Sequence, residues 1–450
     1  MMFLLGVLIV AVGVGISIAL HEIGHLIPAK RFGVRCPQYM IGFGPTIWST
    51  RRGDTSYGVK AIPLGGFVKM IGMFPPKRGA DPSSLRASST GRWATMVEDA
   101  RSTSAQEIGP GDEDRVFYKL STPRKLVVML GGPVMNLLLA TLILAGIVTT
   151  YGMAVPTDGT VVTSVVECVR PADQAGGQRD QACTAADRPS PAAQAGLQPG
   201  DEIVRIDGVP IIRTGDIAAA IRPKADQQIQ LTVLRDGSER TLLLTPIEST
   251  LPVYDDEGVA RTGPDGATLT ERAGYVGMTN AQRTTVERQS VTVVPGLVAD
   301  GVAKTAGVVV RLPQKMVDVW NAAFGTAERD INGPISVVGV GRIAGEVTDG
   351  QIAGVRSPSE ITVFLLNLVA SLNIALFVFN LIPLLPLDGG HVAGALWEGL
   401  RRRVAALFGR PDPGYVDVAK GLPVAYGVSI VLIGMFALLL YADLVKPIRL

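Results

Sequence analysis

Four runs of this sequence, roughly residues 2–27, 124–150, 360–385 and 422–441, are apolar over the about 20 residues that an α-helix needs to cross a bilayer. A chain built this way folds in lipid, where a helix satisfies its own backbone N–H and C=O groups. The composition agrees, because 47% of the 450 residues are hydrophobic and only 18% are charged, a balance unlike that of an ordinary soluble enzyme. The first run lacks a basic leader and a small-residue cleavage site, so it reads as a retained span rather than a secretory signal. A net charge of +2 gives no basis for nucleic-acid binding, which needs clustered basic residues.

The distribution of charge sets an orientation. Residues 28–123 carry Lys30, Arg31, Arg35, Arg51, Arg52, Lys60, Lys69, Lys77, Arg78 and Lys119, and residues 398–420 carry Arg401, Arg402 and Arg403. Both loops are expected in the cytoplasm. Residues 151–357 and both termini then lie outside, and spans one and three run in the same direction. Cys168 and Cys183 fall in that outer region, where an oxidising compartment lets them pair, whereas Cys36 is expected as a free thiol.

Two of the three histidines stand in His21-Glu22-Ile23-Gly24-His25. On a helix, positions i and i+4 share one face, so both imidazoles can grip one metal ion with the glutamate beside it. Chance gives H-E-x-x-H in such a chain only about once in a thousand. The motif also sits at the end of a hydrophobic span, where ionisable side chains are costly and mark function. Zinc at a catalytic site takes three protein ligands and water. The third is expected from the end of the third span, Asn380-Leu-Ile-Pro383-Leu-Leu-Pro386-Leu387-Asp388-Gly389-Gly390-His391, where prolines and glycines break the helix. Asp388 and His391 are both candidates, and a turn role for Asp388 is the bland alternative.

With HEIGH in the first span and Asn-x-x-Pro-x-x-x-Leu-Asp-Gly closing the third, the chain resembles the site-2 proteases, specifically the bacterial regulator-of-sigma-E protease branch. Gly42 to Pro45, Pro63 to Phe67, Arg115 to Tyr118, Gly132 to Asn136 and Asn332 to Ser336 carry the same resemblance. It implies one zinc ion held by His21, His25 and Asp388, Glu22 as general base, and Asn380 in contact with substrate or stabilising the transition state. It implies substrates that are single-span membrane proteins of the anti-sigma-factor type, cut in regulated intramembrane proteolysis during stress responses.

The expected fold is therefore a multi-span α-helical membrane protein with four transmembrane helices, an inserted extracytoplasmic PDZ domain and a membrane-associated β-hairpin. Ser190 to Gly208 reads as short helix, Pro-Gly-Asp turn, alternating strand and Asp-Gly turn. This resembles a PDZ domain, bounded at 157–247, one where enterobacterial members carry two. Residues 38–72 alternate as a hairpin turning at Arg51 to Asp54, and its Gly65 and Gly66 are expected to meet an extended substrate. Residues 79–112 read as a flexible insertion, and 248–357 as a linker with an interfacial helix. Two other classes compete, a non-catalytic membrane PDZ adaptor and a metal transporter. The first has no need of buried zinc ligands, and the second lacks ionisable residues continuing through spans two and four.

Overall fold

The computed structural model describes residues 2–75, 92–169, 183, 187–253, 261, 263, 269–325, 329–330, 333–352, 355 and 357–448, without the side chains of 63, 64 and 92–94. The helices are α1 (Met2–Arg31), α2 (Arg92–Gln106), α3 (Thr122–Thr150), α4 (Pro191–Gln194), α5 (Thr214–Ile221), α6 (Val294–Val310), α7 (Leu312–Phe324), α8 (Val337–Thr348), α9 (Pro358–Asn380), α10 (Asp388–Leu407) and α11 (Leu422–Val445). The strands are β1 (Gln38–Arg52), β2 (Thr55–Lys69), β3 (Met153–Val165), β4 (Cys168–Val169), β5 (Arg188–Pro189), β6 (Glu202–Ile206), β7 (Val209–Pro210), β8 (Ile229–Arg235), β9 (Ser238–Leu244), β10 (Ile247–Pro252), β11 (Thr270–Tyr275) and β12 (Met278–Glu287).

The chain divides into two compact units, residues 1–151 with 289–450, and residues 152–288. In the first, five segments among the described residues are helical, long and apolar enough to cross a membrane: Met2–Arg31, Thr122–Thr150, Val291–Val310, Pro358–Asn380 and Val418–Val445. The protein is thus a multi-pass membrane protein with a β domain. The sequence count of four spans omits Val291–Val310, whose apolar run carries Asp300 and Lys304 one turn apart as an ion pair. Two further expectations are corrected. Residues 92–106 of the supposed flexible insertion form α2, while residues 79–91 lie outside the described residues. Residues 398–407 of the supposed loop before the last span belong to α10, which runs to Leu407.

Small residues let the spans approach closely. A Cβ on Gly24 would lie 2.2 Å from the Gly131 carbonyl oxygen, and one on Gly131 only 1.9 Å from that of Gly24, so α1 and α3 touch backbone to backbone there. The two helices are antiparallel, since His21 meets Asn136 and His25 meets Val128. By contrast α1 and α9 run parallel. Gly13 faces Val369, and one turn on the Asn373 amide donates to Ser17 Oγ at 2.8 Å, both residues fully buried. In that register residues 21–25 of α1 stand level with the C-terminal end of α9 at Asn380. The hairpin packs on that end of α1, with residues 38–41 of β1 paired to 66–69 of β2 on one side and to 56–59 on the other. Residues 66–69 form a sheet edge beside α1. Cys36, buried behind the hairpin, is a free thiol whose pKa burial pushes up to about 11.

In the second unit, strands order β12-β3-β6-β8-β9 around a core of Val162, Ile203, Ile206, Leu231 and Val233. Because β12 pairs with β3, the domain extends to 288, and residues 248–287 belong to it rather than to a linker. Cys168 and Cys183 are joined by a disulfide.

Candidate metal centre

Three side chains converge where α1, α3 and the start of α10 meet. His21 Nε2 and His25 Nε2 are 3.2 Å apart, and each lies 3.3 Å from Asp388 Oδ2. Helix α1 supplies the histidines one turn apart. Helix α9 stops at Asn380, the chain folds through Leu381–Leu387, and α10 starts at Asp388 itself. The turn demands its glycines, because a Cβ on Gly389 would meet the Ile382 carbonyl oxygen at 2.2 Å and one on Gly390 the Leu385 nitrogen at 2.6 Å.

Three near-equal edges of 3.2–3.3 Å are an unfavourable way to arrange lone pairs. Asp388 Oδ2 is buried with no hydrogen bond among the described residues. Donors held tetrahedrally at about 2.0–2.1 Å from one zinc ion stand about 3.3–3.4 Å apart. The donor set therefore fits zinc in spacing and in chemistry, with two imidazoles and a carboxylate. The same three residues are the group of His, Cys, Asp and Glu among the described residues whose ligand atoms gather within 4.8 Å. His391, three residues beyond Asp388, does not join them.

The imidazoles are held from behind by α3. His25 Nδ1–H donates to the Val128 carbonyl at 2.8 Å, which leaves Nε2 as the lone-pair nitrogen. Asn136 presents its amide to His21 Nδ1 at 3.1 Å with its own Oδ1 buried and unpartnered. Turning that amide over gives His21 Nδ1–H an oxygen acceptor and frees Nε2 in the same way. Gly132 leaves the space the rings occupy, since a Cβ there would lie 2.2 Å from His25 Nε2 and 2.7 Å from His21 Nε2. Gly132 and Asn136 entered the sequence reading only as part of the family resemblance, with no place at the metal, and Val128 did not enter it. The available signal was a polar side chain within an apolar span.

Glu22 is 9% exposed, with the Val68 backbone beside its carboxylate. A Cβ on Gly66 would stand 2.9 Å from Glu22 Cγ, so the β2 edge passes directly by the glutamate. Gly65, at φ 95°, packs under the Phe43 ring, where a Cβ would lie 2.7 Å away. Asn380 is half-buried at the end of α9, and among the described residues it is bonded to none of the three donors.

A membrane chain that brings an H-E-x-x-H helix and a distant aspartate to one point beside an open strand edge is organised as a metallopeptidase. The chain belongs to peptidase family M50, whose model matches residues 9–410. It is 33% identical over 456 residues to zinc metalloprotease Rip1 of Mycobacterium tuberculosis, the alignment covering all of both chains. Rip1 of Mycolicibacterium smegmatis is 32% identical over 459 residues, covering 100% of this chain and 99% of the relative. Metalloprotease MmpA of Caulobacter vibrioides is 26% identical over 403 residues, covering 86% and 85%.

Proposed function

We propose that this protein is an intramembrane zinc endopeptidase of the site-2 type that cuts transmembrane segments of single-span proteins. His21, His25 and Asp388 hold the zinc, and Glu22 is the general base. Bound there, zinc supplies Lewis-acid polarisation of the scissile carbonyl and makes water easier to deprotonate. Glu22, next in sequence to a ligand and beside the β2 edge, takes the proton from the attacking water and delivers it to the leaving amide nitrogen. The convergence of His21 Nε2, His25 Nε2 and the unpartnered Asp388 Oδ2 on one point next to a buried glutamate carries this reading.

A helical substrate shields its peptide bonds with its own hydrogen bonds, so it must be drawn out before attack. The edge at residues 66–69 offers main-chain groups to an extended strand, and the glycines at 65 and 66 keep the approach to Glu22 clear. Asn380, just before the turn that carries Asp388, is assigned to contact the substrate chain. The β domain is read as a PDZ module of the outer face, the basic loops as cytoplasmic, and the zinc site as lying towards the inner leaflet. Anti-sigma factors are the substrate type that fits this arrangement. An adaptor role alone would leave the three-donor cluster without a use.

The test is Glu22→Gln in the full chain, with zinc content and cleavage of a single-span reporter measured together. Zinc retained with cleavage lost supports the assignment. Cleavage retained removes Glu22 from the mechanism.

A further inference from the structure

Helix α10 joins α9 to α11 and carries a face that the protein does not cover. At about 100° per residue, Leu396, Trp397, Leu400, Val404, Leu407 and Phe408 fall on one arc about 120° wide, and all are exposed, Leu407 by 84% and Phe408 by 71%. The opposite side is buried through Ala395, Glu398 and Ala405. Glu398 there takes two bonds from Lys125 of α3, at 2.8 and 2.9 Å. The helix is thus fixed to the membrane bundle along one side and unpartnered along the other.

The edges of the apolar arc are basic. Arg401 and Arg403 each stand about 20° outside it, one on each side, and Arg410 follows just beyond the helix. Arg402 is turned inward to Glu398 and Asp412. Arg401 donates to the Pro413 carbonyl at 3.4 Å, while Arg403 and Arg410 are exposed and have no ion pair among the described residues. An apolar stripe with basic rims is the pattern of a helix lying in the membrane interface, its apolar face in the acyl region and its cations among headgroups. The chain enters α10 directly from one candidate span and leaves it into another, which keeps the helix near a bilayer surface.

We propose that α10 is an interfacial helix seated on anionic phospholipid, with Leu396, Trp397, Leu400 and Leu407 among the acyl chains and Arg403 and Arg410 on negatively charged headgroups. Because its first residue is Asp388, the lipid seat and the metal centre share one rigid element. The seat rests on the membrane assignment and on this helix, and its test reads no peptidase activity, so it can fail while the zinc reading stands.

Phenylalanine in place of Trp48, Trp93 and Trp320 leaves Trp397 as the fluorophore of the full chain. In nanodiscs of mixed phosphatidylcholine and phosphatidylglycerol, bromine is placed on the acyl chains of one lipid or the other at equal mole fraction. Since a basic residue near an anionic surface enriches such lipid by up to about fivefold, brominated phosphatidylglycerol is expected to quench Trp397 roughly two- to fivefold more than brominated phosphatidylcholine. In Arg403→Gln/Arg410→Gln the preference falls to near one. Equal quenching by both lipids in the parent overturns the headgroup assignment, and no quenching overturns the lipid seat, leaving a second copy or another protein on this face. Should the single-tryptophan chain not fold, native mass spectrometry of the unmodified chain released from the same nanodiscs decides the point. Phosphatidylglycerol adducts must exceed phosphatidylcholine adducts and drop in the double variant, and equal adducts refute the proposal.

Discussion

A methyl group added at position 132 tests the metal centre from the side that carries no ligand. In Gly132→Ala the new Cβ would lie 2.2 Å from His25 Nε2 and 2.7 Å from His21 Nε2, where ordinary contact begins at 3.4 Å. The His25 ring must therefore retreat by about 1.2 Å, whereas ligand positions at a metal site tolerate only about ±0.2 Å. Changes behind ligands that leave them in place already cost about 10- to 100-fold in metal affinity. Displacement of a ligand itself is expected to cost at least about 100-fold. Helix propensity pulls the other way, because alanine for glycine inside a helix is worth about 0.5–1 kcal/mol of stabilisation. Gly146→Ala on the same helix, with nothing within 4 Å of its Cβ, isolates that term. Zinc affinity of the purified full chain by chelator competition, together with thermal melting of the zinc-free form, gives both quantities. Gly146→Ala should bind zinc normally, and Gly132→Ala should lose affinity. If Gly132→Ala keeps zinc affinity within about threefold, the rings are not where α3 holds them and the reasoning fails.

Asn136→Ala removes the partner of His21 Nδ1 and is expected to lower zinc affinity about 10- to 100-fold while Glu22 and the β2 edge are untouched; unchanged affinity would show that the amide has no part in orienting the ring. Lys125→Met is expected to destabilise by less than the about 3–5 kcal/mol of a buried charge left wholly unpaired, because Arg402 and the Val416 N–H still face Glu398; thermal melting in one detergent reads the loss, and no loss would show that the Lys125–Glu398 pair contributes nothing. In the β domain, burial works against ionisation of Asp201, but bonds from Arg235 and the Gln198 N–H outweigh it and hold the carboxyl below its ordinary value. A folded-state pKa below the unfolded one gives stability that is complete above about 3.9 and is lost as pH falls through the folded value. Protection of the β6 and β8 amides, corrected for the intrinsic exchange rate, should therefore fall at acid pH in the parent and fall less in Asp201→Asn, where Asp207 and Asp216 still contribute.

The gathering of His21, His25 and Asp388 was legible because its grammar is local. The i, i+4 spacing of His21 and His25 fixes a common helix face, and a carboxylate in a proline- and glycine-broken end of a parallel span has few places to go. The parallel course of α1 and α9 followed from charge asymmetry in the loops. What escaped was of two kinds. Helix α10 was read as loop because Arg401, Arg402 and Arg403 interrupt its apolar spacing, and an amphipathic helix whose apolar side faces outward gives no signal of burial. Helix α2 carries only a short apolar stripe in its sequence, Trp93, Met96, Val97 and Ala100, which Ser102, Thr103 and Ser104 do not extend. The extent of the β domain was also hidden, since the pairing of β12 with β3 spans more than a hundred residues and leaves no local mark. The support of the two rings by Val128 and Asn136 depends on where α3 crosses α1, which the Gly24 and Gly131 contact sets.

The account stands most directly on which residues hold the ion. Zinc stoichiometry of the purified full chain, measured in parallel for Asp388→Ala and His391→Ala with folding checked by circular dichroism, puts that to the test. One zinc per parent chain is expected, lost in Asp388→Ala and kept in His391→Ala. Zinc kept without Asp388, or lost with His391 alone, would contradict it.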